Sequence, residues 1–275
     1  MPRPARASLT SLRPGTRIGA VSYLNSRPLV CALEELAPTA RVVYDLPSRL
    51  ADQLAAGTLD VALVPSIEYA RRPDYTIVSD ACVSSDGAVR SVMLYSRVPM
   101  DRIASLALDE GSRTSAALCR ILLAERFRLH PRIEPLPIGA SLEDSTADAT
   151  LVIGDRGMKP VGTEFAAVWD LGREWREWTG LPFVFAMWIA RRHGELRPLA
   201  KLLSAGRTVG VRRVRRLAEQ AAVELELSFE DCLAYLTKNL SFRIGQRQWR
   251  GLARFFDLAA RHGLAPAGAD RVLRV

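Results

Sequence analysis

The sequence is poor in the residues that build metal centres, disulfide frameworks and histidine-based active sites. Only four cysteines and three histidines occur in 275 residues. The cysteines form no C-x-x-C pair, stand in apolar settings and are expected in the core: Cys31, Cys82, Cys119 and Cys232. The histidines, expected on the surface, are His130, His193 and His262. This scarcity argues against a zinc site, a disulfide-stapled domain and a Ser/His/Asp hydrolase.

Long hydrophobic runs and glycine-rich nucleotide motifs are missing as well. No stretch approaches the roughly 18 consecutive apolar residues of a membrane-spanning helix. The basic start, MPRPARASLTSLRPGTR, lacks the apolar stretch of a secretory signal. We therefore expect residues 1–15 to form a disordered tail and the protein to be cytoplasmic. The absence of G-x-G-x-x-G, P-loop and G-x-S-x-G motifs argues against the enzyme classes that depend on them.

The charge is strongly positive, at +8, in a composition that is otherwise ordinary for a globular protein. Part of the excess lies in RRVRR, residues 212–216. Such an excess fits either solvated basic faces or attraction for an anionic partner. Nucleic-acid binding would require exposed aromatics between the basic residues or a helix that reads bases, and the sequence shows neither.

What the chain does contain is a repeated alternation of strand and helix patterns, which is typical of a parallel α/β sheet. RIGAV, RVVYDLP and DVALVP predict strands, and PLVCALEEL and RLADQLAA, with Ser48 as N-cap, predict helices. A second set starts near residue 104 with the strand SLALD and the helix SRTSAALCRILLAERF. The segments DVALVPS and DATLVIG share a D-x-x-L-V core and suggest that the two sets are related.

Two extended segments, DACVSSDGAVRSVMLYSR and LPFVFAMWIARR, flank the second set, as expected for a two-segment hinge. Beyond Leu196 the chain reads as helices. The predicted architecture is two α/β lobes with a ligand cleft between them. Residues 16–87 and 186–275 would form the first lobe, and residues 88–185 the second.

Four polar segments follow predicted strands, where open α/β sheets bind ligands. The first contains Ser22, Tyr23, Asn25 and Ser26. The second contains Pro65 and Ser66. The third, at the predicted hinge, contains Ser84, Ser85, Asp86 and Gly87. The fourth, at a helix start, contains Ser112, Arg113, Thr114 and Ser115.

The fourth segment predicts an anion site, because a helix N-terminus presents unpaired N–H groups and partial positive charge. The alternative is that Ser112 only caps the helix and Arg113 points to solvent. The third segment could equally be an ordinary turn. Asp155, just beyond a buried strand, is a candidate hydrogen-bond acceptor or general acid, or else a cap or a partner of Arg156.

Six blocks resemble, in order from about residue 16 to residue 260, the chorismate dehydratase family of the futalosine route to menaquinone. They are RIGAVSYLNSRPL, GTLDVALVPSIEY, GAVRSVMLYSR, SRTSAALCRILL, ADATLVIGDR and VWDLGREWREWTGLPFVFAMW. The sister enzyme of that route, 1,4-dihydroxy-6-naphthoate synthase, shares the fold but has Pro-Asn-Asp at the first segment.

The resemblance implies a type II periplasmic-binding-protein-like fold and a carbon–oxygen lyase without metal or organic cofactor. It also implies a small dianionic substrate, chorismate. From the residues themselves we expect neither nucleic-acid nor membrane partners, and we expect a monomer or a homodimer. Asn25, Tyr23 and Asp155 would then be the catalytic candidates. One substrate carboxylate would meet Ser112, Arg113, Thr114 and Ser115, and the other would meet either Ser66 or the turn with Ser84, Ser85 and Gly87. Ser22 would bind the substrate as a neutral group beside Tyr23 and Asn25. A solute-binding or sensor protein and the sister synthase are the alternatives.

Overall fold

Two β-sheets, each covered by helices, make up the part of the chain that the computed structural model describes, which is residues 12–159, 161–162, 164–192 and 195–268. Two expectations lie outside these residues: the tail up to residue 11 and the surface position of His193. Residues 12–15, assigned above to the tail, belong to the fold. Leu12 packs against the core, and the Gly15 N–H donates to the Thr39 carbonyl at 2.9 Å.

The first sheet has six strands in the order β11-β4-β10-β3-β1-β2. Strand β1 pairs in parallel with β2 and β3, whereas β10 runs antiparallel to β3 and β4, and β11 antiparallel to β4. The bounds are β1 Arg17–Val21, β2 Arg41–Asp45, β3 Val61–Pro65, β4 Tyr75–Ser85, β10 Phe183–Arg191 and β11 Leu240–Arg243. Every residue of β3 is buried, as its unbroken apolar run predicts for a strand covered on both faces.

The second sheet has five strands in the order β7-β6-β8-β5-β9. Strand β6 is parallel to β7 and β8, and β5 is antiparallel to β8 and β9. The bounds are β5 Val92–Ser96, β6 Ser105–Asp109, β7 Arg132–Leu136, β8 Ala149–Ile153 and β9 Ala167–Asp170. The two sheets repeat one arrangement, in which β2-β1-β3 corresponds to β7-β6-β8. The D-x-x-L-V segments form the equivalent strands β3 and β8, so the short repeat reflects real structural correspondence.

Helices cover both sheets, and the longer ones carry their buried faces against the core. Their bounds are α1 Arg27–Val30, α2 Leu33–Leu36, α3 Pro47–Ala56, α4 Ile67–Arg71, α5 Arg113–Phe127, α6 Leu171–Thr179, α7 Arg197–Arg212, α8 Val214–Leu225, α9 Phe229–Ala234 and α10 Gln246–Arg261. Helix α5 begins as predicted, with the Ser112 side chain accepting from the Ser115 N–H. Helix α3 ends at Ala56 and is capped by Gly57, whose φ of 75° is the left-handed geometry that glycine adopts readily.

The chain passes between the sheets twice. It leaves β4 at Ser85 and enters β5 at Val92, and it returns from α6 through residues 180–182 into β10. These are the two extended segments that the sequence suggested as a hinge. The exact assignment of residues 16–87 and 186–275 to one lobe, and 88–185 to the other, stays a prediction.

Three local predictions are wrong. The segment PLVCALEEL forms two short helices rather than one, and Ser48 lies inside α3, whose N-cap is Leu46. The region after Leu196 is not wholly helical, because Leu240–Arg243 adds strand β11 to the edge of the first sheet. A π-helical turn, Tyr235–Asn239, joins α9 to that strand.

The cysteines behave as expected of small core residues. Cys82, Cys119 and Cys232 are buried, Cys31 is half-buried, and all four are free thiols. His130 is exposed, and His262 pairs with Glu125 at 2.7 Å on the surface. In the described part of the chain, no helix has the length and apolar character required to cross a membrane.

Candidate active site

A cavity lies between the two sheets, at the carboxyl ends of β1, β3 and β8 and the start of α5. Its volume is about 40 Å³. The cavity is therefore a narrow slot. Its walls are Val21, Tyr23, Asn25, Ser26, Pro47, Leu63, Pro65, Val83, Val89, Ser91, Val92, Ser112, Ser115, Ile153, Gly154, Phe185 and Ala186.

The loop after β1 forms one wall. Tyr23 and Asn25 line the cavity, whereas Ser22 is exposed and does not. Leu24 is fully buried and anchors the loop beneath. The Ser26 hydroxyl fixes the turn, with bonds to the carbonyls of Val21 at 2.6 Å and Tyr23 at 2.8 Å. The loop thus directs one phenol and one carboxamide into the slot.

The Tyr23 ring lies against the backbone of Gly154 in the loop after β8. A β-carbon on Gly154 would stand 2.9 Å from the ring, and the φ of Gly154 is 71°. Glycine therefore meets two requirements here, the left-handed backbone and the close approach of the ring. Burial, with the nearby carboxylate of Asp109, raises the pKa of Tyr23 to about 12, so the phenol keeps its proton at neutral pH.

Asp109, at the end of β6, supports this wall from behind and was missed in the sequence. Its buried carboxylate accepts from the Gly111 N–H at 2.8 Å and from the Arg156 guanidinium at 2.5 Å. Burial nonetheless raises the pKa of Asp109 above its ordinary value. Asp109 ends the buried strand SLALD, much as Asp155 follows the buried strand β8. This similarity of position could have identified Asp109 from the sequence.

The start of α5 forms the opposite wall with two of its four predicted residues. Ser112 and Ser115 line the cavity, and their hydroxyl oxygens are 2.9 Å apart. The N–H groups of the first helical turn have no intrahelical partners, and the helix dipole is positive at this end. This wall is therefore suited to an anionic oxygen.

The other two residues of that segment join the sheets instead of lining the slot. Thr114 is fully buried, and its hydroxyl oxygen accepts from the Ile67 N–H at 3.1 Å and lies 3.3 Å from the Ser66 hydroxyl. Ser66 also donates to the Val184 carbonyl at 2.7 Å. Arg113 reaches across to Asp52 at 2.7 Å. The second and fourth polar segments thus bind each other across the cleft.

The third segment is occupied by structural hydrogen bonds. Ser84 donates to the Ser241 carbonyl at 2.9 Å, and Ser85 donates to the carbonyl of Gly87 at 2.9 Å. Gly87 has a φ of 133°, which glycine tolerates. The structure brings none of these three residues into the walls of the cavity.

Ser91, four residues further on, lines the cavity and was not singled out in the sequence. Its backbone position is set by Asp170, whose carboxylate accepts from the N–H groups of Val89 at 2.9 Å and Arg90 at 2.6 Å. Asp170 simultaneously caps α6. Arg90 has a φ of 61°, an uncommon geometry for a residue with a side chain, and this clamp holds it there.

Asp155 lies beside the cavity but not among its walls. Its carboxylate accepts from the Leu24 N–H at 3.0 Å and so ties the loop after β8 to the loop after β1. Burial raises the pKa of Asp155 above its ordinary value, although the Leu24 hydrogen bond opposes the shift. This contact accounts for a carboxylate at this position without a direct chemical role.

The cavity walls contain hydroxyl, amide and apolar groups, and the described residues that line it include no Asp, Glu, His, Lys or Arg. Among the described residues, no group of three or more His, Cys, Asp or Glu could hold a metal ion. Such walls can bind the polar and anionic groups of a small molecule by hydrogen bonding. They offer no side chain that exchanges a proton readily near neutral pH.

Comparison with known proteins identifies relatives by sequence. Residues 16–261 match a family model described as menaquinone biosynthesis. A chorismate dehydratase of Thermus thermophilus is 33% identical over 226 residues, 76% of this chain and 82% of that protein. A chorismate dehydratase of Campylobacter jejuni is 25% identical over 243 residues, 86% of this chain and 94% of that protein.

Solved structures share the fold at low sequence identity. An Archaeoglobus fulgidus protein superposes with a TM-score of 0.71 at 15% identity, covering 90% of this chain and 97% of its own. The periplasmic aliphatic sulphonate binding protein of Escherichia coli superposes with a TM-score of 0.60 at 16% identity, covering 94% and 96%. The fold is therefore periplasmic-binding-protein-like, with two α/β lobes and a cleft.

The contact between Gly154 and Tyr23 predicts an unusually costly substitution. Gly154→Ala should destabilise the protein by about 1–2 kcal/mol more than Gly139→Ala, because overpacking against the ring adds to backbone strain. Gly139 is the matched control, since it also has a positive φ, 93°, but no atom within 4 Å of an added β-carbon. Urea unfolding measures both.

The double variant Gly154→Ala/Tyr23→Ala separates the two causes. Removing the ring should relieve the clash, so the double variant should lose less stability than the sum of the single variants. Two results would show that the ring contact is energetically unimportant. One is an equal loss of unfolding free energy in Gly154→Ala and Gly139→Ala. The other is a loss in the double variant that equals the sum of the losses in the single variants.

The raised pKa of Asp155 predicts a pH-dependent effect of Asp155→Asn. A buried carboxyl with a raised pKa favours folding while protonated and loses that contribution as the pH rises through its folded pKa. Asparagine keeps an oxygen for the Leu24 N–H and cannot ionise. The stability of the variant relative to wild type should therefore increase between pH 4 and pH 7 in urea titrations.

Asp144→Asn is the control of opposite sign. Hydrogen bonds from Ser141 lower the pKa of Asp144, so its carboxylate favours folding above its ordinary pKa. That variant should be less stable than wild type above the ordinary pKa of 3.8, and the difference should shrink as the pH falls below that value and the wild-type carboxylate is protonated. If the stability of Asp155→Asn relative to wild type stays constant or falls as the pH rises, the carboxyl of Asp155 does not have a raised pKa in the folded protein.

Proposed function

The chain belongs to the menaquinone biosynthesis family, and on this basis we propose that it is a chorismate dehydratase, a carbon–oxygen lyase that converts chorismate to 3-[(1-carboxyvinyl)oxy]benzoate and water. The sequence relatives in Thermus thermophilus and Campylobacter jejuni carry that name. The observation that supports the reaction most directly is the uncharged, narrow cavity between the sheets.

The walls of the slot offer partners for the polar groups of the proposed substrate. Chorismate is a cyclohexadiene ring with two carboxylates and one hydroxyl. One carboxylate would meet Ser112, Ser115 and the positive end of α5, which supply hydrogen-bond donors and a favourable dipole. Asn25 and Tyr23 would lie against the ring and the departing hydroxyl. Apolar residues such as Val89 and Phe185 would exclude water from the remaining surface.

The proposed reaction does not require a strong base from the protein. Loss of the proton on the ether-bearing carbon and of the neighbouring hydroxyl gives an aromatic ring, which supplies the driving force. The enolpyruvyl carboxylate of the substrate would take the ring proton and then donate it to the hydroxyl, which would leave as water, so that no proton is gained or lost overall. The protein would fix the reacting conformation and stabilise the developing charge. A cavity without Asp, Glu or His in its walls is suited to such substrate assistance.

Asp155 is weaker as the acid for the departing hydroxyl. Its carboxylate is engaged by the Leu24 N–H and is not part of the cavity walls. A structural tie across the cleft agrees better with that position. Since chorismate is a cytoplasmic metabolite, we expect the protein to act in the cytoplasm, on this small dianion alone.

Incubation of the purified protein with chorismate should yield an aromatic product, detected by ultraviolet absorbance and by a mass lower by one water. Asn25→Ala should reduce kcat/KM by about 100-fold or more, as expected for loss of a positioned hydrogen-bonding group. Gln220→Ala, which truncates an exposed carboxamide on α8, is the control and should retain wild-type activity.

The outcomes distinguish the competing functions. Chorismate binding without turnover would indicate a solute-binding or sensor protein. Inactivity on chorismate with activity on cyclic dehypoxanthine futalosine would indicate 1,4-dihydroxy-6-naphthoate synthase. Undiminished turnover by Asn25→Ala would contradict the role of Asn25.

Substrate assistance has a separate test. A chorismate analogue with its enolpyruvyl carboxylate esterified should compete for binding but remain unconverted. Conversion of that analogue at the normal rate would show that a group of the protein takes the ring proton.

A further inference from the structure

Tyr235 is a fully buried tyrosine just behind the cavity, in an unusual backbone segment. It begins the π-helical turn Tyr235–Asn239, and such turns occur frequently at functional sites. In the sequence it lies within FEDCLAYLTKNL and looks like an ordinary apolar-face residue of a helix. The turn places its phenol next to two groups that line the cavity, Ser91 and Asn25.

The hydrogen bonds of this phenol have a definite direction. The Tyr235 hydroxyl donates to the Ser91 hydroxyl oxygen at 2.7 Å. The Asn25 side chain also hydrogen-bonds to the Tyr235 hydroxyl. A phenol carries one hydrogen, so the amide N–H of Asn25 must be the donor in that second contact. The order of donation is therefore Asn25, then Tyr235, then Ser91.

This order leaves the hydrogen of Ser91 for another acceptor. The Ser91 hydroxyl already accepts from Tyr235, and in the described part of the chain no acceptor for its own hydrogen is found. Ser91 lines the cavity, and its backbone is held by the Asp170 clamp described above. Chains of hydrogen bonds that run in one direction polarise one another and strengthen the terminal donor.

We propose that Tyr235 is a positioning residue for the reaction, which orients Asn25 and directs the Ser91 hydroxyl hydrogen at an anionic oxygen of the bound substrate. This inference rests on the proposed function. Tyr235 itself does not touch the substrate and acts only through its two partners. Burial raises the pKa of Tyr235 far above its ordinary value, so the phenol keeps the proton that it donates to Ser91.

The test compares Tyr235→Phe with Ser91→Ala and with the double variant in steady-state turnover of chorismate. Ser91→Ala should lower kcat/KM by about 100-fold, as for other single donors to a developing or bound anion. Tyr235→Phe should lower it by at least about 10-fold, with the same division between kcat and KM. In the double variant the combined loss should be smaller than the product of the two single losses, because Tyr235 acts in part through Ser91.

Tyr75→Phe is the matched control. Tyr75 is equally inaccessible, at 1% exposure, and no partner for its hydroxyl is found among the described residues. Its removal should leave turnover unchanged. Thermal unfolding of every variant, carried out in parallel, confirms that the assay temperature lies well below each transition.

Two results would overturn the inference while leaving the function intact. In both, the wild-type protein converts chorismate. The first result is a normal kcat/KM for Tyr235→Phe. The second is a double variant in which the two single losses multiply fully, as they would for independent structural effects. Wild-type protein that does not convert chorismate would overturn the proposed function and this inference with it.

Discussion

The candidate site depends on how the loop after β1 fits against the loop after β8. The Leu24 N–H donates to Asp155 at 3.0 Å, and the Tyr23 ring rests on Gly154. These contacts join the two sheets at the point where their parallel strands end. The same short loop supplies Tyr23 and Asn25 to the cavity. The contacts that join the two sheets therefore also form this wall of the cavity.

Polar residues around the cleft divide into two groups with different tasks. Tyr23, Asn25, Ser91, Ser112 and Ser115 face the cavity. The others bind protein atoms, either within their own sheet, as Ser84 does with Ser241, or across the cleft, as Thr114 does with Ile67 and Ser66. A hydroxyl that is buried without a partner is unfavourable, so each of these side chains is satisfied either by the protein or by a ligand. A closed cleft with the second group paired leaves the first group available for substrate.

Sequence patterns predicted the architecture well, because it follows from unbroken apolar strands and capped helices. The runs ending at Pro65 and Ile153 gave β3 and β8, and the short repeat between them proved structural. The direction in which each side chain of a polar segment points did not follow from the sequence. Neighbours such as Thr114 and Ser115 have the same chemistry, yet the helix turns one toward the other sheet and the other toward the cavity. Tyr235 was not identified as a site residue from the sequence, because its position depends on a π-helical turn that does not alter the hydrophobic pattern.

The uncharged walls have a chemical consequence for the proposed reaction. An arginine inside the slot would bind a substrate carboxylate tightly, but it would also lower the pKa of that carboxylate and weaken it as a base. The nearest cation at the start of α5, Arg113, is held by Asp52 and Glu68 outside the cavity. Hydrogen bonds and the helix dipole compensate the dianion less completely than a guanidinium would. In the proposed reaction, that incomplete compensation would keep the enolpyruvyl carboxylate basic enough to take the ring proton, and the net charge of +8 would attract the dianion from outside.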